Sequence, residues 1–140
     1  MNLTLTYGCS SDGLIGFTDA DGMSNLDRRA ISGYTFLYNG GAISWGSKQQ
    51  ELVALSTTEA EFVAAVTAGQ QIIWLRNLLW EFGYSFPTPS TLHIDNMSAV
   101  SVAKNPEHSG CMKHLDPRFF WLREAVSDGA IAVFHVPVTL

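Results

Sequence analysis

Four acidic residues of this 140-residue chain lie where their carboxylates could act together. Asp19 ends a short apolar run typical of a buried strand, and Asp95 ends a second such run. Glu61 lies early in a predicted long helix, among alanines that permit close approach to a sheet, and Asp116 begins a later helix. Functional groups in α/β proteins gather at strand ends. If the first and fourth strands are neighbours, Asp19 and Asp95 converge and Glu61 reaches them from the helix.

Clustered carboxylates repel one another unless a cation neutralises them. Mg²⁺ suits this role because it prefers oxygen ligands and retains several waters. Two such ions about 4 Å apart can clamp the attacking and leaving oxygens of a phosphodiester displacement. A water activated in this way needs no histidine or cysteine nucleophile. The four acids therefore indicate metal-assisted phosphodiester chemistry.

Each acid also has a purely structural explanation, and both explanations stay open at this point. A strand-terminal aspartate is often a turn former or a helix cap, so Asp95 would cap the helix predicted to start near Ser98. Glu61 alone fits a solvated helix position, and Glu59 completes a capping box with Ser56. Three or four acids at the ends of core elements are harder to explain in this way, but sequence order does not establish that they converge.

The hydrophobic pattern predicts the element order β-β-β-α-β-α-α-β. Three strands before residue 48, joined in part by the hairpin signal Asn39-Gly40-Gly41, predict an antiparallel meander. The capping box at Ser56 starts a helix that runs to Phe82 and stops at Gly83. The remaining predicted elements are a strand over 91–95, helices over 98–104 and 116–127, and a last strand over 130–136. Residues 1–140 are thus predicted to form one α/β domain with a mixed five-stranded sheet flanked by helices.

Composition limits the classes of protein to which the chain can belong. Hydrophobic residues make up 46% of it, which excludes a disordered chain. Eight basic and 13 acidic residues give a net charge of −5, which argues mildly against nucleic-acid binding. Without the four candidate site acids the balance is 9 acids to 8 bases, so this argument largely disappears. The two cysteines, with no secretory signal or membrane span in the sequence, indicate an intracellular protein.

Several other side chains invite functional hypotheses. The pair Arg28-Arg29 is either a solvated turn or a phosphate contact near the site. His114 is either a surface or capping residue or an assistant to the neighbouring Asp116. The tryptophans of the predicted helices lie in apolar patterns and are predicted to be core residues rather than base-stacking platforms; they are Trp74, Trp80 and Trp121.

The motifs taken together resemble the ribonuclease H domain at the C-terminal end of copia-type LTR-retrotransposon polyproteins. They follow one another in the family's order over nearly the whole chain. The main matching segments are Phe17-Thr18-Asp19-Ala20-Asp21, Ser32-Gly33-Tyr34, Gly41-Ala42-Ile43-Ser44-Trp45, Leu55-Ser56-Thr57-Thr58-Glu59-Ala60-Glu61, Trp74-Leu75-Arg76, Asp95-Asn96, Lys104-Asn105-Pro106 and Lys113-His114-Leu115-Asp116.

The resemblance implies a ribonuclease H-like fold and metal-dependent hydrolysis of the RNA strand of RNA–DNA hybrids, with Mg²⁺ or Mn²⁺ as cofactor. By motif, the metal-binding catalytic acids fall on Asp19, Glu61 and Asp95, and Asp116 is the candidate for a fourth catalytic carboxylate. Substrate contacts are expected from four further residues, which are Arg28, Arg29, Asn96 and His114. The expected partners are an RNA–DNA hybrid and the reverse transcriptase domain of the same polyprotein.

The chain also departs from the family pattern. Gly22-Met23-Ser24 stands where the family has Trp-Ala-Gly, and Phe120 replaces a second histidine. Family members continue beyond the last strand into a helix carrying Leu-Ala-Asp, whereas this sequence stops at Leu140. We therefore expect a C-terminally truncated or domesticated domain without the final helix, whose uncovered fifth strand favours self-association. The alternative to a nuclease is a catalytically inactive ribonuclease H-like module that binds protein or nucleic acid.

Overall fold

The computed structural model describes residues 13–21, 29–104 and 121–136. These residues form five strands and three helices in the predicted order. The elements are β1 (Leu14–Asp21), β2 (Ile31–Tyr38), β3 (Gly41–Gln49), α1 (Thr57–Glu81), β4 (Ser90–Ile94), α2 (Met97–Lys104), α3 (Trp121–Ser127) and β5 (Ile131–His135). Within the described residues the predicted secondary structure is confirmed, with β2 beginning three residues earlier than the aromatic run at Tyr34 suggested. The predicted start of the third helix at Asp116 lies outside these residues.

The five strands form one mixed sheet in the order β3-β2-β1-β4-β5. β1, β2 and β3 pair antiparallel as a meander, whereas β4 pairs parallel with both β1 and β5. A two-residue turn joins β2 to β3, and both Asn39 and Gly40 have positive φ, as the favoured hairpin turns require. β1 lies at the centre of the sheet with β4 beside it, so the condition on which the convergence of Asp19 and Asp95 depended is met.

Helix α1 begins and ends where its capping signals predict. The Ser56 Oγ accepts a hydrogen bond from the Glu59 N–H at 3.1 Å, and the Glu59 carboxylate accepts one from the Leu55 N–H. At the other end Gly83 has positive φ. This capping sets the first turn of α1, and with it the position of Glu61.

One face of the sheet and the helices enclose the larger of two buried apolar clusters among the described residues. Gly16 lets α1 lie close to β1, because a Cβ on Gly16 would come within 2.8 Å of the Phe36 ring and 3.1 Å of the Ile72 side chain. Phe36, Phe62 and Ile72 are fully buried there. The small residue in the central strand thus sets the distance between α1 and β1, the two elements that carry Glu61 and Asp19.

We expect Gly16→Ala to destabilise the protein, because the added methyl group meets buried side chains that cannot move aside. Overpacking of this kind costs about 1–3 kcal/mol. Gly33→Ala is the matched control, since a Cβ there would have its nearest contact at 3.9 Å. Urea denaturation of both variants checks the prediction, and equal free energies of unfolding for the two would contradict it.

An aromatic row crosses the opposite face of the sheet in register. The row consists of Trp45, Phe17, His93 and Phe134, with Thr35 between the first two. The Phe17 and His93 rings stack with centroids 4.9 Å apart, and His93 and Phe134 lie 5.9 Å apart. Trp45 is 64% exposed, so the apolar surface of this row faces solvent.

The prediction that the helical tryptophans belong to the core is wrong for two of them. Trp74 is 58% and Trp80 66% exposed, and both lie on the outer side of α1. The helix is apolar around much of its circumference, so periodicity in the sequence did not distinguish its inner from its outer face. Within the described ranges, no helix combines the length and apolar character needed to cross a bilayer.

Candidate metal centre

Three acids converge beside the central strand. Asp19 lies near the end of β1, and Asp95 directly follows β4, whose Ile94 pairs with Thr18 of β1. Glu61 comes from the second turn of α1. One carboxylate oxygen from each of Asp19, Glu61 and Asp95 lies within 4.8 Å of the other two. The predicted convergence of these three carboxylates is thus present in the structure.

The environment of Glu61 penalises a negative charge. Its side chain is only 5% exposed, whereas Asp19 is exposed and Asp95 half-buried. Burial is the largest cause that raises the pKa of Glu61, from its ordinary 4.5 to about 7. The charge of Asp19, a hydrogen bond with the Asp19 carboxyl and the charge of Asp95 contribute to the same rise, and a hydrogen bond from the Ala20 backbone opposes it.

This donor set fits a hard divalent cation. Three carboxylates meet at one point, and carboxylate oxygens are the ligands that Mg²⁺ and Mn²⁺ take. The Glu61 Oε2 is buried without a hydrogen-bond partner among the described residues, so it is available as a ligand. A cation would also remove the repulsion that raises the pKa of Glu61. Asp19, Glu61 and Asp95 are the residues that could hold it.

Asn96 resolves the capping alternative for Asp95. The Asn96 Oδ1 accepts a hydrogen bond from the Ala99 N–H at 2.9 Å, and the Asn96 carbonyl accepts one from Val100 at 3.1 Å. Asn96, and not Asp95, is therefore the N-cap of α2. The Asp95 carboxylate is left beside the other two acids, and a substrate contact by Asn96 stays a prediction.

The remaining predicted site residues are not all described. Arg29 is exposed just before β2, on the chain segment that leads to the strand paired with Asp19. A phosphate contact by Arg29 stays a prediction. Three other candidates lie outside the described residues, namely Arg28, His114 and Asp116.

Sequence reasoning missed two features beside the acids. The first is a cavity of about 510 Å³ on the open face of the sheet, which adjoins Asp19 and extends along Phe17 to Trp45. The period-2 pattern of the strands was the available signal for this face. The second is Gln50, a buried amide that belongs to a polar run in the sequence and shows no periodicity.

Relatives of the chain are Pol polyproteins of plant transposons. It is 42% identical over 133 residues to the retrovirus-related Pol polyprotein from transposon TNT 1-94 of Nicotiana tabacum, a match covering 94% of this chain. It is 32% identical over 124 residues to that from transposon RE2 of Arabidopsis thaliana, covering 88% of the chain. The chain spans only 10% and 8% of these two relatives. No protein-family model matches it.

Solved structures show the same fold at low sequence identity. The ribonuclease H domain of prototype foamy virus matches with a TM-score of 0.58 at 16% identity, over 88% of this chain and 78% of that one. The native protease-reverse transcriptase of the same virus matches with a TM-score of 0.59 at 14% identity, over 95% of this chain and 18% of that one. The chain is therefore homologous to a segment of plant copia-type transposon Pol polyproteins, and it has a ribonuclease H-like fold.

Proposed function

We propose that the chain is a metal-dependent endonuclease that hydrolyses the RNA strand of RNA–DNA hybrids. The observation that carries the proposal is the convergence of Asp19, Glu61 and Asp95 within 4.8 Å at the edge of a ribonuclease H-like sheet. A binding module has no need of three acids that repel one another, whereas a cation-holding site does. The structural neighbours support RNA–DNA hybrids as the substrate class, because one of them is a ribonuclease H domain.

Each residue has a distinct task in the proposed site. The exposed Asp19 and half-buried Asp95 present carboxylate oxygens toward solvent, where a phosphodiester can approach. Glu61 supplies the third carboxylate from α1, where burial shields its side chain from water. Divalent cations bound there would neutralise charge on the phosphate and activate the attacking water. The hybrid would be recognised through its shape and 2′-hydroxyls rather than its sequence.

Cleavage of a labelled RNA–DNA hybrid tests the proposal. We expect the RNA strand to be cut when Mg²⁺ or Mn²⁺ is present, and no cleavage in excess EDTA or of a DNA duplex of the same sequence. Isothermal titration calorimetry should show cation binding in the same buffer. A chain that neither binds the cations nor cuts the hybrid would support the inactive binding module instead.

The partners of the chain are proposals as well. Its relatives are Pol polyproteins about ten times its matched length, and one solved neighbour is a protease-reverse transcriptase. We therefore propose the reverse transcriptase domain of such a polyprotein as a protein partner. Self-association through the fifth strand, which lies at one end of the strand order, stays a prediction.

A further inference from the structure

Gln50 is a buried polar residue that joins α1, which carries Glu61, to β2, the strand paired with the Asp19-bearing β1. It follows β3 directly and its side chain is only 6% exposed. The Gln50 Nε2 donates one hydrogen bond to the Ser32 Oγ at 3.0 Å and a second to the Ala60 carbonyl at 2.9 Å. Its backbone N–H donates to the Ala30 carbonyl at 2.8 Å. One residue thus ties the start of β2 to the first turn of α1.

One side-chain contact of Gln50 lies next to a site residue in sequence, and the other reaches the site across the sheet. Ala60 immediately precedes Glu61 in α1. Ser32 pairs across the sheet with Ala20, which immediately follows Asp19, and the Ala20 N–H donates to the Asp19 Oδ1 at 2.9 Å. A shift of either contact therefore changes the distance between the carboxylates of Glu61 and Asp19.

The amide orientation is fixed by its partners. The Ala60 carbonyl can only accept, so the group facing it must be the Gln50 nitrogen, and no other side chain of similar shape supplies two donors there. The Gln50 Oε1 is buried without a partner among the described residues. A buried polar atom left in this state costs free energy. Gln50 is therefore a poor choice for stability alone.

Small residues around Gln50 allow the two elements to approach each other. Ala30, Ala54 and Ala60 are buried together, and Ala20 packs against them. Gly16 sets the approach of the middle of α1 to β1, whereas at the first turn of α1 these alanines offer little bulk, and hydrogen bonds add to the packing there. The amide of Gln50 provides those hydrogen bonds.

We propose that Gln50 is a positioning residue that holds Glu61 at its distance from Asp19 and thereby sets the affinity of the site for divalent cations. This inference rests on the proposed function, because it assumes that the three acids bind a cation. Gln50 itself touches neither the cation nor the substrate. Residues that hydrogen-bond directly to metal ligands typically change metal affinity about 10- to 100-fold when replaced. Gln50 acts through the backbone of the residue before Glu61, so an effect near the lower end of this range is expected.

The test compares Gln50→Met, which keeps the approximate shape but loses both donors, with Val133→Ala, a buried change on β5 at the far side of the sheet. For each variant, urea denaturation measures the loss of stability and calorimetry measures Mn²⁺ affinity. We expect Gln50→Met to bind Mn²⁺ about 10-fold more weakly or worse. Val133→Ala should bind within twofold of the unmodified chain, although it is also destabilised. Equal Mn²⁺ affinity of Gln50→Met and the unmodified chain would overturn the inference.

Two further arms keep the outcome decisive. If Gln50→Met fails to fold, Ser32→Ala replaces it in the test, because this variant removes only one of the two acceptors. Ser32→Ala should show a smaller loss of Mn²⁺ affinity. Unchanged Mn²⁺ affinity of Ser32→Ala would count against the role of Gln50. If the unmodified chain binds no cation, the proposed function fails. Crystal structures without metal then decide the positioning role. It is contradicted if the Asp19 and Glu61 oxygens of Gln50→Met, or of Ser32→Ala, stay within the 4.8 Å of the unmodified chain.

Discussion

Asp95→Asn is expected to abolish hybrid cleavage while the protein stays folded. The substitution keeps the shape of the side chain but replaces a charged ligand oxygen by an amide, so the site loses one of its three carboxylates. Replacing a residue that hydrogen-bonds to a metal ligand lowers metal affinity or activity about 10- to 100-fold. The loss of a ligand itself should have a larger effect. Residual cleavage should therefore fall below about 1% of the unmodified rate.

The folded state should tolerate Asp95→Asn well. Asp95 raises the pKa of Glu61 through its charge, so the variant relieves repulsion in the metal-free protein. Because Asn96 is the N-cap of α2, replacing Asp95 removes no cap. Asp128→Asn, an exposed aspartate outside the cluster, is the matched control and should cleave normally. Robust cleavage by Asp95→Asn in the same assay would remove Asp95 from the site.

The stability of the metal-free protein is expected to fall as the pH rises toward neutrality, and Glu61 should cause most of that fall. The folded-state pKa of Glu61 is about 7, above its ordinary 4.5, so the folded state binds this proton more tightly than the unfolded state. The resulting stabilisation is fully present below about pH 4.5 and is lost as the pH rises through about 7. The shift corresponds to about 3 kcal/mol.

Glu61→Gln tests this assignment. The neutral side chain avoids the cost of ionisation, so the variant should be more stable than the unmodified chain at pH 8 and similar to it at pH 4.5. Glu81→Gln, at the exposed end of α1, is the control and should follow the pH dependence of the unmodified chain. Saturating Mg²⁺ should restore stability at pH 8 in the unmodified chain and not in Glu61→Gln. Identical pH profiles for Glu61→Gln and the unmodified chain, measured by urea denaturation, would contradict the assignment.

Local signals were sufficient to predict most of the fold and the three acids. The capping box at Ser56 and the stop at Gly83 predicted α1, and the apolar runs before Asp19 and Asp95 predicted β1 and β4. The adjacency of the first and fourth strands entered only as a condition, because no local signal specifies which strands are neighbours in a sheet. Such signals depend on residues close together in sequence, and they hold here because the elements are regular.

The features that sequence reasoning missed depend on residues far apart in sequence. Gln50 contacts Ser32 and Ala60 across 18 and 10 residues, while its own surroundings in the sequence are those of a solvated turn. Trp74 and Trp80 belong to a helix that is apolar on several sides, so only the packing of α1 on the sheet decides which side faces water. The cap of α2 differs from these features because the hydrogen bond from Ala99 to Asn96 is local, and the sequence left it open because aspartate and asparagine are both favoured N-caps.

The aromatic row has a consequence for the choice of solvent. Trp45 and Phe134 expose apolar surface to water. Sulfate and phosphate increase the free-energy cost of hydrating such surface. These anions would thus promote association of chains through this face, whereas chloride would promote it less. Phosphate also competes with the carboxylates for divalent cations. Chloride buffers at moderate ionic strength are therefore the conditions in which solubility and cation binding can be judged separately.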